Sequence, residues 1–297
     1  FHNMAVLKPL HLAFPNAKIS WLTSETGKTL LEHNSYLSEI FILFKKRNGK
    51  MKTMKERLKL IYSLRQKKFD LTINLKKGSY WAYFLGAPVW SIPSYYKSVK
   101  RNVHVIDIYL NLMRQHGIFV SSKDLDMRIM PTLSEKRHLD EILAQNNHAS
   151  FKKTAIIAPF SNWHAKEWNL KNFARLSQTL AERHSIQTVF VGGENDCEKM
   201  RKISEYKNYF IDLVGKISLR QLAALYEKAA LAIGGDSGPF HLATNMGVPA
   251  IGIFAPTPHE RYGPYFSREL TVSCEEDLGC NPCFSGKNLM ACGVYNR

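Results

Sequence analysis

The sequence has few acidic residues for its number of basic ones, and it has no long apolar run. It carries 41 lysines and arginines against 25 aspartates and glutamates, a formal net charge of +16. No apolar segment approaches the ~18–20 residues that a membrane-spanning helix requires. The opening residues, Phe1-His2-Asn3, include neither a basic stretch nor an apolar core, so no signal peptide is expected. A chain of 297 residues is long enough for two α/β domains.

Cysteine is absent from the first half of the chain. The second half holds five, namely Cys197 and a late group of Cys274, Cys280, Cys283 and Cys292. A disulfide framework is typical of small secreted chains rather than of a 34 kDa α/β protein. Cys280-Asn-Pro-Cys283 has the C-x2-C spacing of zinc ligands, but no second pair follows it. Reduced or surface-paired thiols are therefore favoured over a zinc site, and no metal is predicted.

The positive charge is concentrated in the first half. Residues 45–68 contain a single acidic side chain, Glu56, among many lysines and arginines. Nucleic acid, an anionic membrane surface or a phosphorylated acceptor would suit such a patch. A solvated basic helix face without a ligand explains the same residues equally well.

Apolar and polar segments alternate in a way that predicts helices and strands in turn. In the first half the expected strands are 19–23, 40–44 and 69–75, and the expected helices are 4–13, 51–67, 79–85 and 104–116. In the second half the expected strands are 154–158, 188–192, 210–214, 231–235 and 250–254, and the expected helices are 169–184, 196–206, 218–228 and 239–246. This alternation is typical of βαβ units on parallel sheets, which bind ligands at the carboxyl ends of their strands.

The alternation breaks once, so it also predicts the domain organisation. A first domain is expected at 1–130 and a second at 154–297. Between them, a polar linker is expected at 131–153, with one helix at 133–146. The first predicted helix begins almost at Phe1, so the first strand and loop of that domain are expected upstream of it.

The strongest functional pattern is the glycine-rich turn between the predicted strand 231–235 and the next helix. It reads Gly234-Gly235-Asp236-Ser237-Gly238-Pro239-Phe240-His241. Proline suits a first helical turn, and backbone N–H groups there, with the helix dipole behind them, form a seat for a diphosphate. Helix capping by Ser237 or Asp236 is the structural alternative. Capping explains one polar residue but not the whole run, so we predict a phosphate site.

A second pattern follows the predicted strand 154–158. It reads Ser161-Asn162-Trp163-His164-Ala165-Lys166-Glu167-Trp168. Lys166 can reach a phosphate as a point charge, and Ser161 and Asn162 offer hydrogen bonds. The alternative is a surface lysine beside two core tryptophans.

Together these segments resemble glycosyltransferase family 9, the bacterial heptosyltransferases of lipopolysaccharide core synthesis. The run 236–243 is similar to the family signature D-[ST]-G-x-x-H-[LI], and Lys166-x-Trp168 to its K-x-W element. Residues 191–194, 214–219 and 255–257 fall where the family has further loops. The resemblance implies an α/β fold of the GT-B arrangement, in which two Rossmann-like domains face each other across a cleft.

The resemblance also implies the roles of particular residues. The expected donor-binding residues are Ser161, Asn162, Lys166, Asp196, Ile217, Asp236, Ser237, Gly238, Pro239 and His241. Lys166 would contact the diphosphate of ADP-heptose, and Asp236 would hold the sugar hydroxyls. Ile217 would lie against the adenine, and Asp196 near the ribose, although Glu194 could serve instead. The family's general base, an Asp, would fall immediately before Phe1, so the expected catalytic residues within the sequence are Lys166 and Asp236.

The implied reaction inverts the anomeric centre and uses neither a metal nor a cofactor. The first half would bind the anionic acceptor, lipid A carrying Kdo or an extended core, at the inner-membrane surface. The expected acceptor-binding residues are Lys76, Lys77, Lys97, Lys100 and Arg101. The expected location is the cytoplasm, peripheral on the inner face of the inner membrane, without a specific nucleic-acid partner.

Other readings of the sequence stay open. One is a related transferase, or an epimerase of the same architecture, that uses a different nucleotide sugar or acceptor. The other is a non-catalytic protein that binds a nucleotide sugar or another anionic ligand.

Overall fold

The computed structural model describes residues 1–43, 54–76, 80–92, 103–145, 154–267 and 270–273, without the side chains of Met54 and Trp81. Its contacts divide the chain into two units. One is His2–Asp126, and the other joins Phe1 to Met127–Arg297. The division therefore lies before the expected boundary at residue 130.

The first unit alternates short helices and strands. Its elements are a 3₁₀ helix His2–Val6, α1 Leu7–Ala13, β1 Ser20–Thr23, α2 Glu25–Leu31, β2 Glu39–Ile42, α3 Met54–Arg65, β3 Thr72–Asn74, a 3₁₀ helix Tyr80–Leu85, β4 Val89–Ser91, α4 Val105–Gln115 and a 3₁₀ helix Ser122–Asp124. β1 pairs with β2 and β3 with β4, both in parallel. The three predicted strands are confirmed, whereas α2 and β4 did not stand out in the sequence.

The segment predicted as a helix at 79–85 is a 3₁₀ helix rather than an α-helix. It ends at Leu85, and the next residue, Gly86, has a φ of +81°, a left-handed conformation that does not continue the helix.

The core of the first unit forms around α4. Its apolar positions repeat at helical spacing, and Ile106, Tyr109, Leu110 and Met113 are buried. His104 caps the helix, because its Nδ1 accepts a hydrogen bond from the amide of Ile106 at 3.1 Å.

The second unit contains a longer series of elements. They are α5 Leu133–Gln145, β5 Thr154–Ala158, a 3₁₀ helix His164–Lys166, α6 Leu170–His184, β6 Gln187–Phe190, a 3₁₀ stretch Glu194–Tyr209, β7 Phe210–Asp212, α7 Leu219–Tyr226, β8 Leu231–Gly235, α8 Gly238–Asn245, β9 Ala250–Phe254, α9 His259–Tyr262 and β10 Thr271–Ser273. The five predicted strands of this half are confirmed. The helix predicted at 196–206 is instead 3₁₀ in type and is interrupted at Ile203, where φ is −125°.

These strands form one parallel sheet in the order β10-β9-β8-β5-β6-β7. The chain starts in the middle at β5, runs outward to β7, then crosses to β8 and runs outward on the other side. This is the Rossmann strand order, and it places the topological switch point between β5 and β8. The prediction of βαβ units on a parallel sheet is confirmed for this unit.

The core of the second unit lies on both sides of this sheet. All five residues of β5 are buried, and Ile157, Phe173, Phe190 and Ile233 join one apolar cluster. Helices on both faces of a parallel sheet remove its strands from water, which explains why they read as continuous apolar runs.

Helix α5, which falls in the expected linker, packs on α7 of the second unit. Nε of the buried Arg220 donates to Oε1 of Glu135 at 2.6 Å, and another of its nitrogens donates to the carbonyl of Met130 at 2.7 Å. The described part of 131–153 thus belongs to the second unit by its contacts. Within the described ranges, no helix has the length and apolar character that crossing a membrane requires.

Candidate functional site

Asp236 is the centre of the best-defined polar cluster in the second unit. It directly follows β8, and only 9% of it is exposed. Nζ of Lys166 lies 2.5 Å from its Oδ2, and Nε2 of His241 lies 2.7 Å from its Oδ1. Lys166 follows β5, so the three side chains meet at the carboxyl ends of the two strands that flank the switch point.

The cluster determines the ionisation of Asp236. Burial on its own would raise the pKa of this carboxyl, but the hydrogen bond and charge of His241 and those of Lys166 outweigh burial and hold the pKa well below its usual value. The carboxylate is therefore ionised and accepts hydrogen bonds from both partners. It follows that Nε2 of His241 carries the hydrogen in this contact.

The two glycines that precede Asp236 are needed for close packing. A Cβ on Gly234 would stand 2.7 Å from the carbonyl oxygen of Ala158 in β5, and a Cβ on Gly235 would stand 2.8 Å from that of Lys166. A side chain at Gly234 would push β8 away from β5, and one at Gly235 would push the Lys166 loop away from β8. The glycines thus allow the lysine and Asp236 to meet.

The start of α8 leaves hydrogen-bonding groups available. Ser237 is the N-cap residue, but its side chain makes no capping hydrogen bond, and its buried Oγ has no partner among the described residues. The capping role considered for Ser237 is thus wrong. Gly238 and Pro239 form the first turn, which is held in place by the Tyr226 hydroxyl donating to the Pro239 carbonyl at 3.0 Å. The first amides of a helix have no intrahelical partner and carry the positive end of its dipole.

The two ends of the loop 161–167 are joined by a hydrogen bond. The amide of Ser161 donates to Oε1 of Glu167 at 2.9 Å, and Oγ of Ser161 donates to the carbonyl of Asp236 at 3.5 Å. Asn162 is exposed. The tryptophans of this segment are not core residues, because Trp163 is half-buried and Trp168 is 39% exposed. The alternative of a lysine beside two core tryptophans is therefore wrong.

The residues expected near the nucleoside lie in the loops after β6 and β7. Both oxygens of Asp196 are engaged: Oδ2 accepts from the amide of Gly193 at 3.1 Å and Oδ1 pairs with Lys199 at 3.0 Å. Glu194 is exposed. Ile217 is half-buried just before Ser218, the N-cap of α7. Their contacts with a nucleoside stay predictions.

Two charged residues of this region were not singled out in the sequence. Glu167 bonds the Ser161 amide, and Lys199 lies 3.1 Å from the same Glu167 oxygen. Glu167 occupies the unspecified middle position of the K-x-W element, and Lys199 belongs to no motif, so pattern reading had no signal for either.

The expected acceptor-binding residues fall mostly outside the described part of the chain. Lys76 is exposed, and its amide donates to Oδ1 of Asn74 at 3.1 Å. Lys77, Lys97, Lys100 and Arg101 lie outside the described residues, as do Cys274, Cys280, Cys283 and Cys292. Cys197 is a free, exposed thiol.

Carboxylates with the spacing of a metal motif occur at Asp124-Leu125-Asp126. The Asp124 carboxylate has a local partner, because it accepts a hydrogen bond from the Ser121 amide at 2.8 Å in a capping box. Over the described ranges, no three His, Cys, Asp or Glu side chains come together as a metal would require.

Comparisons with known proteins agree with this fold. A crystal structure of a family 9 glycosyltransferase from Veillonella parvula covers 92% of this chain and 82% of its own, with a TM-score of 0.79 and 24% identity. The structure of the E. coli heptosyltransferase WaaC with ADP covers 92% of this chain and 88% of its own, with a TM-score of 0.69 and 17% identity. The protein therefore has the fold of the GT-B glycosyltransferases, as predicted.

The family assignment follows from the sequence as a whole. The family model described as "Glycosyltransferase family 9 (heptosyltransferase)" matches residues 57–293, which is well over half of the chain. The lipopolysaccharide core heptosyltransferase OpsX of Haemophilus influenzae is 24% identical over 93% of this chain and 81% of its own length. The chain belongs to glycosyltransferase family 9, and it is a glycosyltransferase.

Proposed function

We propose that this protein moves heptose from ADP-heptose to the inner core of lipopolysaccharide, with inversion at the anomeric carbon and without a metal. The observation that supports this most strongly is the buried Asp236 carboxylate held between Lys166 and His241 at the switch point. The OpsX relative is named as a lipopolysaccharide core heptosyltransferase, and the similar WaaC structure carries ADP. Both agree with the proposed donor and acceptor.

The donor diphosphate lies between Lys166 and the start of α8. An ammonium has three N–H groups, so Lys166 can donate to a phosphate oxygen while it keeps its bond to Asp236. The amides of Ser237 and Gly238 take other phosphate oxygens, and Ser161, Asn162 and Pro239 line the same seat. As the bond from the sugar to the diphosphate breaks, negative charge grows on the leaving group. Fixed donors aimed at that charge stabilise the transition state.

Asp236 binds the sugar rather than acting as the base. A carboxylate whose pKa lies far below its usual range is a weak proton acceptor, because a base works best with a pKa near the operating pH. Its remaining lone pairs suit the hydroxyl groups of the sugar, and His241 fixes its orientation. The acceptor proton goes to another carboxylate, the general base that the family resemblance implies.

The nucleoside half of ADP extends from this seat toward the loops after β6 and β7. Ile217 lies against the adenine, and Asp196 lies near the ribose, with Glu194 as the alternative ligand. Both oxygens of Asp196 already have partners, whereas Glu194 is exposed, so either residue could bind the ribose. Separate substitutions of the two residues will identify the ribose ligand.

The acceptor is an anionic, lipid-linked core, either lipid A carrying Kdo or an extended form. The basic first half supplies cations for it, and Lys76, Lys77, Lys97, Lys100 and Arg101 are the proposed contacts. The same charge would hold the enzyme on the cytoplasmic face of the inner membrane as a peripheral protein, since each basic residue near an anionic surface contributes attraction.

The proposal is tested by substituting the two central residues in the full-length protein. In Lys166→Ala and Asp236→Ala, heptose transfer from ADP-heptose should fall at least about a hundredfold, because each change removes a fixed charge from the transition state. Lys171→Ala is the matched control, since Lys171 is an exposed lysine at the start of α6. Circular dichroism must show that all three variants are folded. Near-normal turnover in either central variant would contradict the assignment.

The donor itself is tested by comparing ADP-, UDP- and GDP-linked sugars with the unaltered enzyme. Transfer from ADP-heptose at a kcat/KM well above the others supports the proposal. Transfer from a different nucleotide sugar would identify another transferase of this architecture. Binding of sugar nucleotides without any transfer, together with salt-sensitive binding of random oligonucleotides, would indicate a non-catalytic protein.

A further inference from the structure

Lys199 connects two loops of the second unit without belonging to the signature. It lies in the 3₁₀ stretch Glu194–Tyr209 after β6. Its Nζ is 3.1 Å from Oε1 of Glu167 in the loop after β5, and 3.0 Å from Oδ1 of Asp196 in its own segment. One ammonium therefore bridges two carboxylates from two loops.

Each of those carboxylates also closes its own loop. The Glu167 oxygen that meets Lys199 also accepts the Ser161 amide at 2.9 Å, so it spans the loop 161–167 from end to end. Asp196 accepts the amide of Gly193 at 3.1 Å through its other oxygen. The chain neighbour of Glu167 is Lys166. Whatever fixes the Glu167 carboxylate thus fixes the backbone that carries Lys166.

The charges of this cluster matter because the site next to it takes a diphosphate. Glu167 and Asp196 are two carboxylates whose side chains are each 20% exposed, and both would repel an anionic ligand. Lys199 cancels part of their charge, and its Nζ also lies 5.1 Å from the centre of the Phe160 ring. Burial is the largest single influence on Lys199, and on its own it would lower the pKa of the ammonium. The hydrogen bonds and charges of Asp196 and Glu167 together outweigh burial and raise this pKa above its usual value. Lys199 is therefore fully protonated at neutral pH.

We propose that Lys199 is a positioning residue for the donor diphosphate. It holds the loop 161–167 in its binding conformation through Glu167, and it neutralises the carboxylates beside the diphosphate. This inference rests on the proposed donor site. Lys199 touches no reacting group and acts through the loop and the local charge, so its loss should weaken donor binding more than it slows the chemical step.

Steady-state kinetics with Lys199→Met and Lys199→Arg tests the inference in the full-length enzyme. Methionine keeps the length of the side chain but removes its charge. The KM for the donor should rise about fivefold to tenfold. The kcat should stay within about twofold of the unaltered enzyme, because the lost interaction stabilises the bound donor and the transition state about equally. Lys199→Arg should restore most of the affinity. Lys202→Met is the matched control, since Lys202 is exposed on the same segment and has no ion pair among the described residues.

A double variant separates charge from shape. Glutamine at position 167 keeps an oxygen for the Ser161 amide but carries no charge. Adding Glu167→Gln to Lys199→Met should therefore recover part of the lost donor affinity, because the uncompensated carboxylate is gone. A purely structural role for Lys199 predicts that the double variant binds the donor no better than Lys199→Met.

Hydrogen exchange of the ligand-free protein tests the loop itself and does not depend on the identity of the donor. Amides of 161–167 should exchange faster in Lys199→Met, while those of β5 stay unchanged. Unchanged exchange, or a donor KM unaffected by Lys199→Met, overturns the inference. Faster exchange in the variant, combined with no transfer by the unaltered enzyme from any nucleotide sugar, supports the loop-holding role and contradicts the proposed function instead.

Discussion

Nζ of Lys166 and Oδ2 of Asp236 lie 2.5 Å apart, although 70 positions separate the two residues in the chain. The contact exists because β5 and β8 are neighbours at the switch point of the sheet. A Rossmann order brings the loops after these two strands together at one edge. The fold thereby converts two separate sequence patterns into one charged site.

The contact between Lys166 and Asp236 requires a glycine at position 235, where the backbone passes close to the Lys166 loop. In Gly235→Ala the new Cβ would meet the Lys166 carbonyl oxygen at 2.8 Å, so the loop must shift. We expect a loss of about 1–3 kcal/mol in the free energy of unfolding, measured in urea. ADP affinity should fall with it, because Lys166 moves away from the phosphate seat.

Gly193→Ala is the control for the stability measurement. A Cβ there finds its nearest neighbour at an ordinary distance of 3.8 Å, from an Asp196 oxygen, so the free energy of unfolding should change little. Equal stability of the two alanine variants would show that the close approach of Lys166 to β8 is not required.

The depressed pKa of Asp236 makes part of the stability depend on pH. The folded-state pKa lies below the usual 3.8, so the stabilising contribution is complete above about pH 4 and is lost as the pH falls through the folded-state value. The unfolding free energy of the ligand-free protein should exceed that of Asp236→Asn at about pH 5. This difference should shrink below pH 4. A difference that grows in acid would refute the ionised, paired state of Asp236.

The contact between Arg220 and Glu135 holds α5 to the second unit. Glu135→Ala leaves the guanidinium of Arg220 buried without its carboxylate, and removal of one partner of a buried pair typically costs about 3–5 kcal/mol. Because 24% of the Glu135 side chain is exposed, we expect a loss at the lower end of that range in the free energy of unfolding, measured in urea. Burial is the largest single influence on the Glu135 carboxyl and would raise its pKa. The hydrogen bonds from Arg220 and Thr132, with the Arg220 charge, together outweigh burial and lower the pKa.

Lys136→Ala provides the comparison from the next position of the same helix. The pair between Lys136 and Glu227 is at 2.6 Å, but its side chains are 37% and 34% exposed. A pair so exposed to solvent contributes about 0–1 kcal/mol. If the two variants lose the same stability, burial of Arg220 is not what anchors α5.

His241 orients the Asp236 carboxylate through one hydrogen bond at 2.7 Å. His241→Leu removes that donor, whereas His241→Gln keeps an amide N–H that can replace it. We expect kcat/KM for ADP-heptose to fall about tenfold or more in the leucine variant, as charge-assisted hydrogen bonds are strong, and to fall less in the glutamine variant. Equal activities of the two variants would mean that His241 acts by packing alone.

The fold of the second unit was largely predictable from the sequence. Its strands are apolar because helices cover both faces of the sheet, so runs such as 154–158 and 231–235 stand out. The three-residue strand β10 did not stand out, since so short a segment has no periodicity. The 3₁₀ character of Glu194–Tyr209 was missed for a related reason: its polar composition does not distinguish helix types.

The candidate site was predictable only as far as its motifs reach. Lys166, Asp236 and His241 sit in recognisable runs, and parallel topology explains why they meet. Glu167 and Lys199 were missed because their roles come from a tertiary contact at 3.1 Å, which no local spacing encodes. The contact that ties the helix of the expected linker to the second unit was not foreseen for the same reason, because Arg220 and Glu135 are far apart in sequence.

The most direct test of the account is calorimetric titration of ADP and of adenosine into the unaltered protein and into Lys166→Met. If Lys166 binds the donor diphosphate, ADP affinity falls at least about tenfold in the variant, the size expected for a lost bond to a charged group, while adenosine affinity stays the same. Equal ADP affinities in the two proteins would contradict the assignment of Lys166 and Asp236 to the donor site.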